Sequence, residues 1–94
     1  MLIKLTSIHE EVINFNSAQG HKKYLIQEIF VNPQHIVYLK EDLQYVELHV
    51  KGFLPDGFQK NQKFTRVGIN RGNMGEEFTA IGDLVGLAKK INGE

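Results

Sequence analysis

Four histidines are the side chains in this chain best suited to metal or acid–base chemistry, at His9, His21, His35 and His49. None of them forms a helical pair four positions apart, and the chain has no cysteine to complete a structural zinc site. Scattered histidines of this kind are usually surface residues. His35 and His49 lie on predicted neighbouring strands, whose register the sequence leaves open. We therefore expect no metal site and no cofactor.

Adjacent acidic residues perform acid–base catalysis when their environments separate the two pKa values. The chain has three such pairs, Glu10-Glu11, Glu41-Asp42 and Glu76-Glu77. All three fall at predicted turns, where carboxylates are usually solvated. Ser7 and Ser17 lack the context of a nucleophile elbow. Because no nucleophile, base and orienting group can be assembled, we expect no catalytic residues and a protein that is not an enzyme.

The sequence Gly72-Asn73-Met74-Gly75 has the GXXG form of the loop by which KH domains clamp a nucleic-acid backbone. In KH domains that loop joins two helices, whereas here it lies between two predicted strands. A hairpin turn that uses the conformational freedom of glycine is the favoured interpretation.

A local excess of basic residues runs from position 51 to position 71. Its members are Lys51, Lys60, Lys63, Arg66 and Arg71, against the single acid Asp56, with Phe53, Phe58 and Phe64 interleaved. Basic residues bind phosphates and aromatic rings stack on bases, so this segment predicts a surface for single-stranded nucleic acid. The alternative is a solvated hairpin whose aromatic rings pack on the core.

The turn-rich loop from Gly52 to Phe58 contains three large apolar residues, Phe53, Leu54 and Phe58, where such residues are unexpected. Pro55-Asp56-Gly57 supplies its turn chemistry. The three apolar side chains are either exposed, as a contact for another protein or a second copy, or they cap the end of the sheet. Both interpretations stand equally at this point.

The composition limits the class of protein. Ninety-four residues with 41% hydrophobic content predict one folded domain over positions 1–94. Eleven basic and eleven acidic residues cancel, which argues against binding nucleic acid or membranes by bulk charge. A small β domain gains stability by pairing with itself, so we expect a homo-oligomer. We also expect a cytoplasmic protein, because no apolar run resembles a signal peptide or a membrane span.

Two strands joined at Asn32-Pro33 organise the predicted fold. The first, about 23–31, carries apolar residues on both faces, which is typical of a central strand covered on both sides. The second covers about 35–40. The other predicted strands are Leu2–Ile8, Val12–Phe15 after a turn at 9–11 and before a loop at 16–20, Tyr45–Lys51, Thr65–Ile69 and Glu77–Ala80.

The end of the chain predicts one amphipathic helix over about 83–92. Asp83 is a suitable N-cap, and Leu84, Leu87, Ala88 and Ile91 recur at helical spacing. We therefore predict a β-rich α+β fold. It would have a single, mainly antiparallel sheet or a small barrel of about six to seven strands, with one short C-terminal helix.

Three stretches resemble the FlbD-like flagellar proteins. They are Ile3-Lys4-Leu5-Thr6, Val31-Asn32-Pro33 followed by Ile36, and Phe78-Thr79-Ala80 leading into Asp83-Leu84. The resemblance covers about half of the chain and implies a small β-rich domain of bacterial or phage type. It carries no catalytic residues to this sequence. The chain departs from the family plan by an apparent insertion at 14–27 and an expanded loop at 52–63.

A second likeness, to the all-β LytTR class of DNA-binding domains, agrees poorly with the neutral charge. Our first hypothesis is a non-enzymatic interaction or regulatory protein that self-associates through the loop Gly52–Phe58 and an exposed sheet edge. The alternative is a nucleic-acid-binding module that uses the basic segment 51–71.

Overall fold

The computed structural model describes residues 1–13, 21–72 and 74–93. Within these residues the chain forms five strands, two α-helices and one 3-10 turn. In chain order they are β1 (Ile3–Ile13), β2 (His21–Val31), the 3-10 turn Pro33–His35, β3 (Ile36–Glu41), α1 (Leu43–Val50), β4 (Phe64–Arg71), β5 (Met74–Ile81) and α2 (Leu84–Ile91). The strands form one open antiparallel sheet in the order β2-β1-β5-β4-β3.

The joint at Asn32-Pro33 is confirmed, and so is the C-terminal helix. Proline lacks a backbone N–H and fixes φ, so the chain leaves β2 here and makes a 3-10 turn. The Asn32 side chain accepts a hydrogen bond of 3.0 Å from the Gln34 backbone N–H. At the other joint Asp83 occupies the N-cap position of α2, although its side chain makes no capping hydrogen bond.

The predicted count of six to seven strands is wrong for two reasons, of which the first lies in β1. No turn occurs at 9–11, because β1 continues through Ile13 and stays paired with β2 along its whole length. Val12 therefore belongs to β1 and does not begin a new strand. The predicted loop at 16–20 lies outside the described residues.

The second reason is the segment Tyr45–Lys51, which forms most of α1 and not a strand. Its alternating apolar residues suggested a strand face, yet Val46 is half-buried while Val50 is 76% exposed. Asp42 starts the helix, because its carboxylate accepts a hydrogen bond of 3.2 Å from the Tyr45 backbone N–H. The helix cap and packing on the sheet override the local strand pattern.

The prediction that the strand at 23–31 is central is also wrong, because β2 is an edge strand. Apolar residues on both of its faces had suggested cover on both sides. In the structure Val31 is buried, whereas Ile26 and Phe30 are exposed. Apolar residues do occupy both faces of β2, but within the described part of the chain no element covers the face of Ile26 and Phe30 along its whole length.

Two apolar clusters lie on opposite faces of the sheet. One contains Leu5, Val31, Val67 and Ala80 and is closed by Leu87 of α2. The other contains Ile8, Leu54 and Phe64 and is covered by α1, with half-buried Tyr24, Tyr45, Val46, Leu48, Phe58 and Ile81 around it. The N-terminal hairpin β1–β2 joins the other three strands through only two paired positions, Ser7↔Ala80 and Ile8↔Thr79.

Candidate interaction surface

Among the described residues, β2 is the longer of the two edge strands of the sheet. All eleven residues of β2 pair with β1 in one register, from Ile3↔Val31 to Ile13↔His21, with no bulge. Within the described residues, the sheet contains no strand on the other side of β2. On one face of this edge Ile26 is 48% and Phe30 is 65% exposed. The edge therefore combines unpaired backbone groups with exposed apolar side chains.

Such an edge is a template for pairing with another strand, because its outward N–H and C=O groups face no strand of the described residues. Monomeric proteins normally block this pairing with short strands, bulges, prolines or charges at the edge. The strand β2 contains no proline, and its charged residues are Lys22 and Lys23 at its start and Glu28 further along, so the stretch from Tyr24 to Val31 carries one charge. Glu28 lies 3.8 Å from Lys4 of the neighbouring strand, so its charge is partly balanced within the chain.

The opposite edge, β3, carries these protective features. It has six residues, and its register with β4 shifts between Ile36 and Tyr38. Lys40 and Glu41 bring charges to its end, and Asp42 then turns the chain into α1. An approaching strand finds a short, irregular and charged edge here.

A buried carboxylate anchors β3 to its neighbours. Asp42 is 1% exposed and accepts a hydrogen bond of 2.7 Å from the Thr79 hydroxyl of β5. The Arg66 guanidinium of β4 donates to the same carboxylate oxygen through two nitrogens, each at 3.4 Å. Asp42 thus connects β3, β4, β5 and the N-terminus of α1 through a set of charge-assisted hydrogen bonds.

The expectation that the acidic pairs lie at turns is wrong, whereas their expected exposure to solvent holds for five of the six side chains. Asp42 is buried, Glu10-Glu11 belongs to β1 and Glu76-Glu77 belongs to β5. The signal that would have located Asp42 is an N-cap residue type placed immediately before a segment with several helix-forming residues. The apolar alternation of the residues after it obscured this signal.

Tyr38 lies across the backbone of β4 at Gly68, its partner in the register. A Cβ added at Gly68 would come within 2.1 Å of the Tyr38 ring, so only glycine leaves room for this packing. The Tyr38 hydroxyl donates a hydrogen bond to the Glu77 carboxylate, which also lies 3.5 Å from Arg66 and 3.8 Å from Lys40. This hydrogen bond raises the pKa of the Tyr38 phenol above its usual value of 10.0, with smaller contributions from desolvation and the Glu77 charge.

The three apolar residues of the loop at 52–58 have different environments. Leu54 is buried in the core cluster under α1. Phe58 is half-buried and meets the Phe64 and His49 rings edge-to-face, at centroid distances of 5.5 and 5.7 Å. Phe53 is 63% exposed. Two of the three side chains therefore cap the sheet, and Phe53 alone is available for a contact.

The basic residues of the segment 51–71 are largely paired with acids. Lys51 lies 3.0 Å from Glu47, and Lys63 lies 4.0 Å from Glu41. Arg66 is held between Asp42 and Glu77, as described above. Lys60 is exposed, and the side chain of Arg71 lies outside the part of the structure that can be described. The described residues thus form no uniform cationic surface.

The structure also shows where two of the histidines and the GXXG sequence lie in the fold. His35 lies in the 3-10 turn, and His49 lies in α1 with its Nε2 atom 2.6 Å from the Gln59 carbonyl oxygen, so the two are not on neighbouring strands. Among the described residues, no three acidic or histidine side chains are grouped as metal ligands. Of the GXXG residues, Met74 and Gly75 begin β5 and pair with the end of β4, and Gly72 before them has a φ of +66°.

An open cleft of about 620 Å³ lies beside the apolar cluster that α2 closes. Its apolar lining includes Ile29, Val31, Ile69 and Phe78, and its polar lining includes Asn32 and His35. The cleft borders β2, so the same strand contributes to it and to the exposed edge.

Comparisons with known proteins return no similarity. No family model, no curated protein and no solved structure matches the chain. The resemblance to FlbD-like proteins therefore stays a prediction. Across residues 1–13, 21–72 and 74–93, no helix has the length and apolar character needed to span a membrane.

Proposed function

We propose that this chain is a non-enzymatic interaction protein that self-associates through the outer edge of β2. One observation carries the proposal, namely an eleven-residue strand that pairs regularly on one side and, among the described residues, has no strand on the other. Strand addition to such an edge gains main-chain hydrogen bonds, and side chains at alternate positions provide specificity.

Burial of apolar surface adds to the main-chain hydrogen bonds. Ile26 and Phe30 lie on the same face of β2, and both are about half or more exposed in the single chain. A second strand at this edge would cover part of both side chains. Burial of apolar surface contributes about 25 cal/mol per Å², so both side chains favour association.

Of the apolar residues in the loop at 52–58, fewer are available for a contact with a second copy than the sequence indicated. Leu54 and Phe58 stabilise the core, so replacing them would test folding and not association. Phe53 remains exposed and provides a second, smaller contact point. The proposed interface therefore consists of β2 with Phe53 as a separate candidate.

The alternative function, binding of single-stranded nucleic acid, has weaker support. Lys51, Lys63 and Arg66 each lie within ion-pair distance of a carboxylate, which reduces the positive potential available to phosphates. Fluorescence anisotropy with a labelled oligonucleotide distinguishes the two functions. Salt-sensitive binding that is lost on replacing Lys51, Lys60 and Lys63 together would favour the alternative.

Sedimentation velocity over a wide range of protein concentration tests the proposal. We expect the unmodified chain to associate between about 1 μM and 1 mM, the range of modest protein affinities. Ile26→Glu should weaken this association at least about tenfold, because it places a second negative charge beside Glu28 on the same face of the paired edge. Val37→Glu is the matched control, since Val37 is 58% exposed on the opposite edge.

Two outcomes would contradict the proposal. One is a chain that stays monomeric throughout the concentration range. The other is equal weakening by Ile26→Glu and Val37→Glu, which would show that association does not depend on β2. Circular dichroism confirms that each variant remains folded before its association is compared.

A further inference from the structure

We infer that the occupant of the β2 edge is a second copy of the same strand, antiparallel to the first, with the twofold axis passing between the two Gln27 residues. This inference rests on the proposed self-association and adds its partner, direction and register. The result is a continuous ten-stranded sheet in which β2 of each copy lies at the centre.

Geometry limits the registers that a symmetric pair can adopt. Directly opposite residues of antiparallel strands project from the same face of the sheet. When a twofold axis perpendicular to the sheet relates the two strands, the two residues of each cross-strand pair must therefore differ in number by an even amount. The residue at the axis pairs with the same residue of the other copy. Each possible register can therefore be named by the residue at its axis.

A centre at Gln27 forms apolar cross-strand pairs on both faces, although it also places Ile26 opposite Glu28. Leu25 of one copy lies opposite Ile29 of the other, and Tyr24 lies opposite Phe30. The exposed Phe30 thereby gains an aromatic neighbour, an arrangement that favours cross-strand pairing. Because the axis relates the two copies, each of these pairs occurs twice.

The neighbouring registers are less favourable. A centre at Ile26 places Tyr24 opposite Glu28, and a centre at Glu28 places two like charges directly opposite each other. A centre at Leu25 leaves Phe30 beyond the first residue of the partner strand, which begins at His21. The centre at Gln27 has the Ile26–Glu28 pair, but of these four registers it alone combines apolar pairs on both faces with a paired Phe30 and no like-charge pair.

The backbone orientation at Gln27 suits a close approach. The Ser7 hydroxyl of β1 donates a hydrogen bond of 3.0 Å to the Gln27 carbonyl oxygen, so this carbonyl points towards β1 and away from the free edge. Gln27 would consequently face its own copy as a non-hydrogen-bonded pair, the closer type, with Cα atoms about 4.5 Å apart. This spacing lies within the range that a disulfide spans.

Single-cysteine variants test the register directly, because the chain contains no cysteine of its own. Gln27 is exposed, so Gln27→Cys should leave the fold intact. We expect its oxidised dimer, measured on a non-reducing gel, to form at least about tenfold faster than that of Ile26→Cys or Glu28→Cys. Val37→Cys on the other edge provides the baseline for random collisions.

A mixing experiment supplies an independent measurement. When Leu25→Cys and Ile29→Cys chains are mixed and oxidised, a mixed disulfide should form faster than either variant cross-links with itself. Mass spectrometry identifies the linked pair. This result depends on the register and does not require a cysteine at Gln27.

The outcomes separate the register from the self-association on which it rests. Fastest cross-linking at Ile26 or Glu28 would overturn the register while leaving association through β2 intact. A dimer seen by sedimentation whose β2 cysteines all cross-link at the Val37→Cys rate would overturn the use of this edge. A chain that is monomeric at every concentration would overturn the proposed function itself.

Discussion

The two edges of the sheet show opposite solutions to the same physical problem. Each edge strand presents backbone groups that another chain can pair with. The β3 edge is short, shifts its register at Ile36/Tyr38, and ends in charges. The β2 edge is eleven residues long, regular and partly apolar on both faces.

The difference teaches that the residues at the end of an edge strand control that edge as much as the strand itself does. Immediately after β3, Asp42 turns the chain into α1 and binds Arg66 and Thr79 of the two neighbouring strands. In the described structure β2 has no comparable anchor to a third strand. We therefore expect changes at β3 to affect stability and changes at β2 to affect association.

The largest effect should come from Asp42→Ala. This change removes the N-cap of α1 and leaves Arg66 and Thr79 without their shared buried acceptor. We expect the free energy of unfolding to fall by about 3 kcal/mol. Urea denaturation followed by circular dichroism measures it.

The matched change on the other edge is Glu28→Ala. Its ion pair with Lys4 is exposed and 3.8 Å long, so its loss should cost less than about 0.5 kcal/mol. Equal costs for Asp42→Ala and Glu28→Ala would show that the buried carboxylate does not anchor β3. Asp42→Asn should cost less than Asp42→Ala, because an amide oxygen still accepts hydrogen bonds.

Gly68→Ala should lower the free energy of unfolding by a smaller amount, and it tests how Tyr38 of β3 packs on β4. The new methyl group would displace the Tyr38 ring from the backbone of β4, at a cost of about 1–2 kcal/mol. In a Tyr38→Ala background the same change should be neutral or stabilising, because alanine is better ordered than glycine in a strand. A cost that persists without the Tyr38 ring would contradict this explanation.

The smallest effect concerns the titration of Tyr38. Its hydrogen bond to Glu77 raises the pKa of the phenol, so the folded state keeps this proton to higher pH than the unfolded state. This contribution to stability is complete below pH 10.0 and is lost as the pH rises through the folded pKa. Glu77→Gln should lower the Tyr38 pKa.

Ultraviolet absorbance of the phenolate, with Tyr38→Phe subtracted to remove the other tyrosines, measures this pKa. An unchanged or higher pKa in Glu77→Gln would show that Glu77 does not control the phenol. The experiment also reports on the β3 edge, because Tyr38 pairs with Gly68 of β4 and Glu77 lies in β5.

The sequence predicted the elements whose signals are local and failed where distant contacts decide. Asn32-Pro33 located the joint between β2 and β3, and the apolar spacing after Asp83 located α2. The alternating segment at 45–51 was assigned to a strand, because the acceptor role of Asp42 depends on residues of β4 and β5. Local pattern cannot contain that information.

The same reasoning explains the incomplete prediction of the site. An exposed sheet edge was expected, but its identity depends on the strand order, which a single sequence does not contain. Apolar residues on both faces of β2 indicated a central strand, whereas in the structure they mark an edge. Leu54 and Phe58 were correctly noticed as unusual loop residues, and their partner Phe64 explains them.

The narrow connection between β1 and β5 has a consequence for the order of folding. In the described residues the backbone pairing of these strands is limited to Ser7↔Ala80 and Ile8↔Thr79, to which Leu5 and Ile8 add core contacts, and the paired residues come from near opposite ends of the chain. Closing so long a loop costs entropy before any contact compensates for it, so the connection should form after the N-terminal hairpin and the β3–β4–β5 meander. Amide hydrogens at this connection should then exchange with solvent before those at the centre of the meander, which makes the N-terminal hairpin a separate unit of local unfolding.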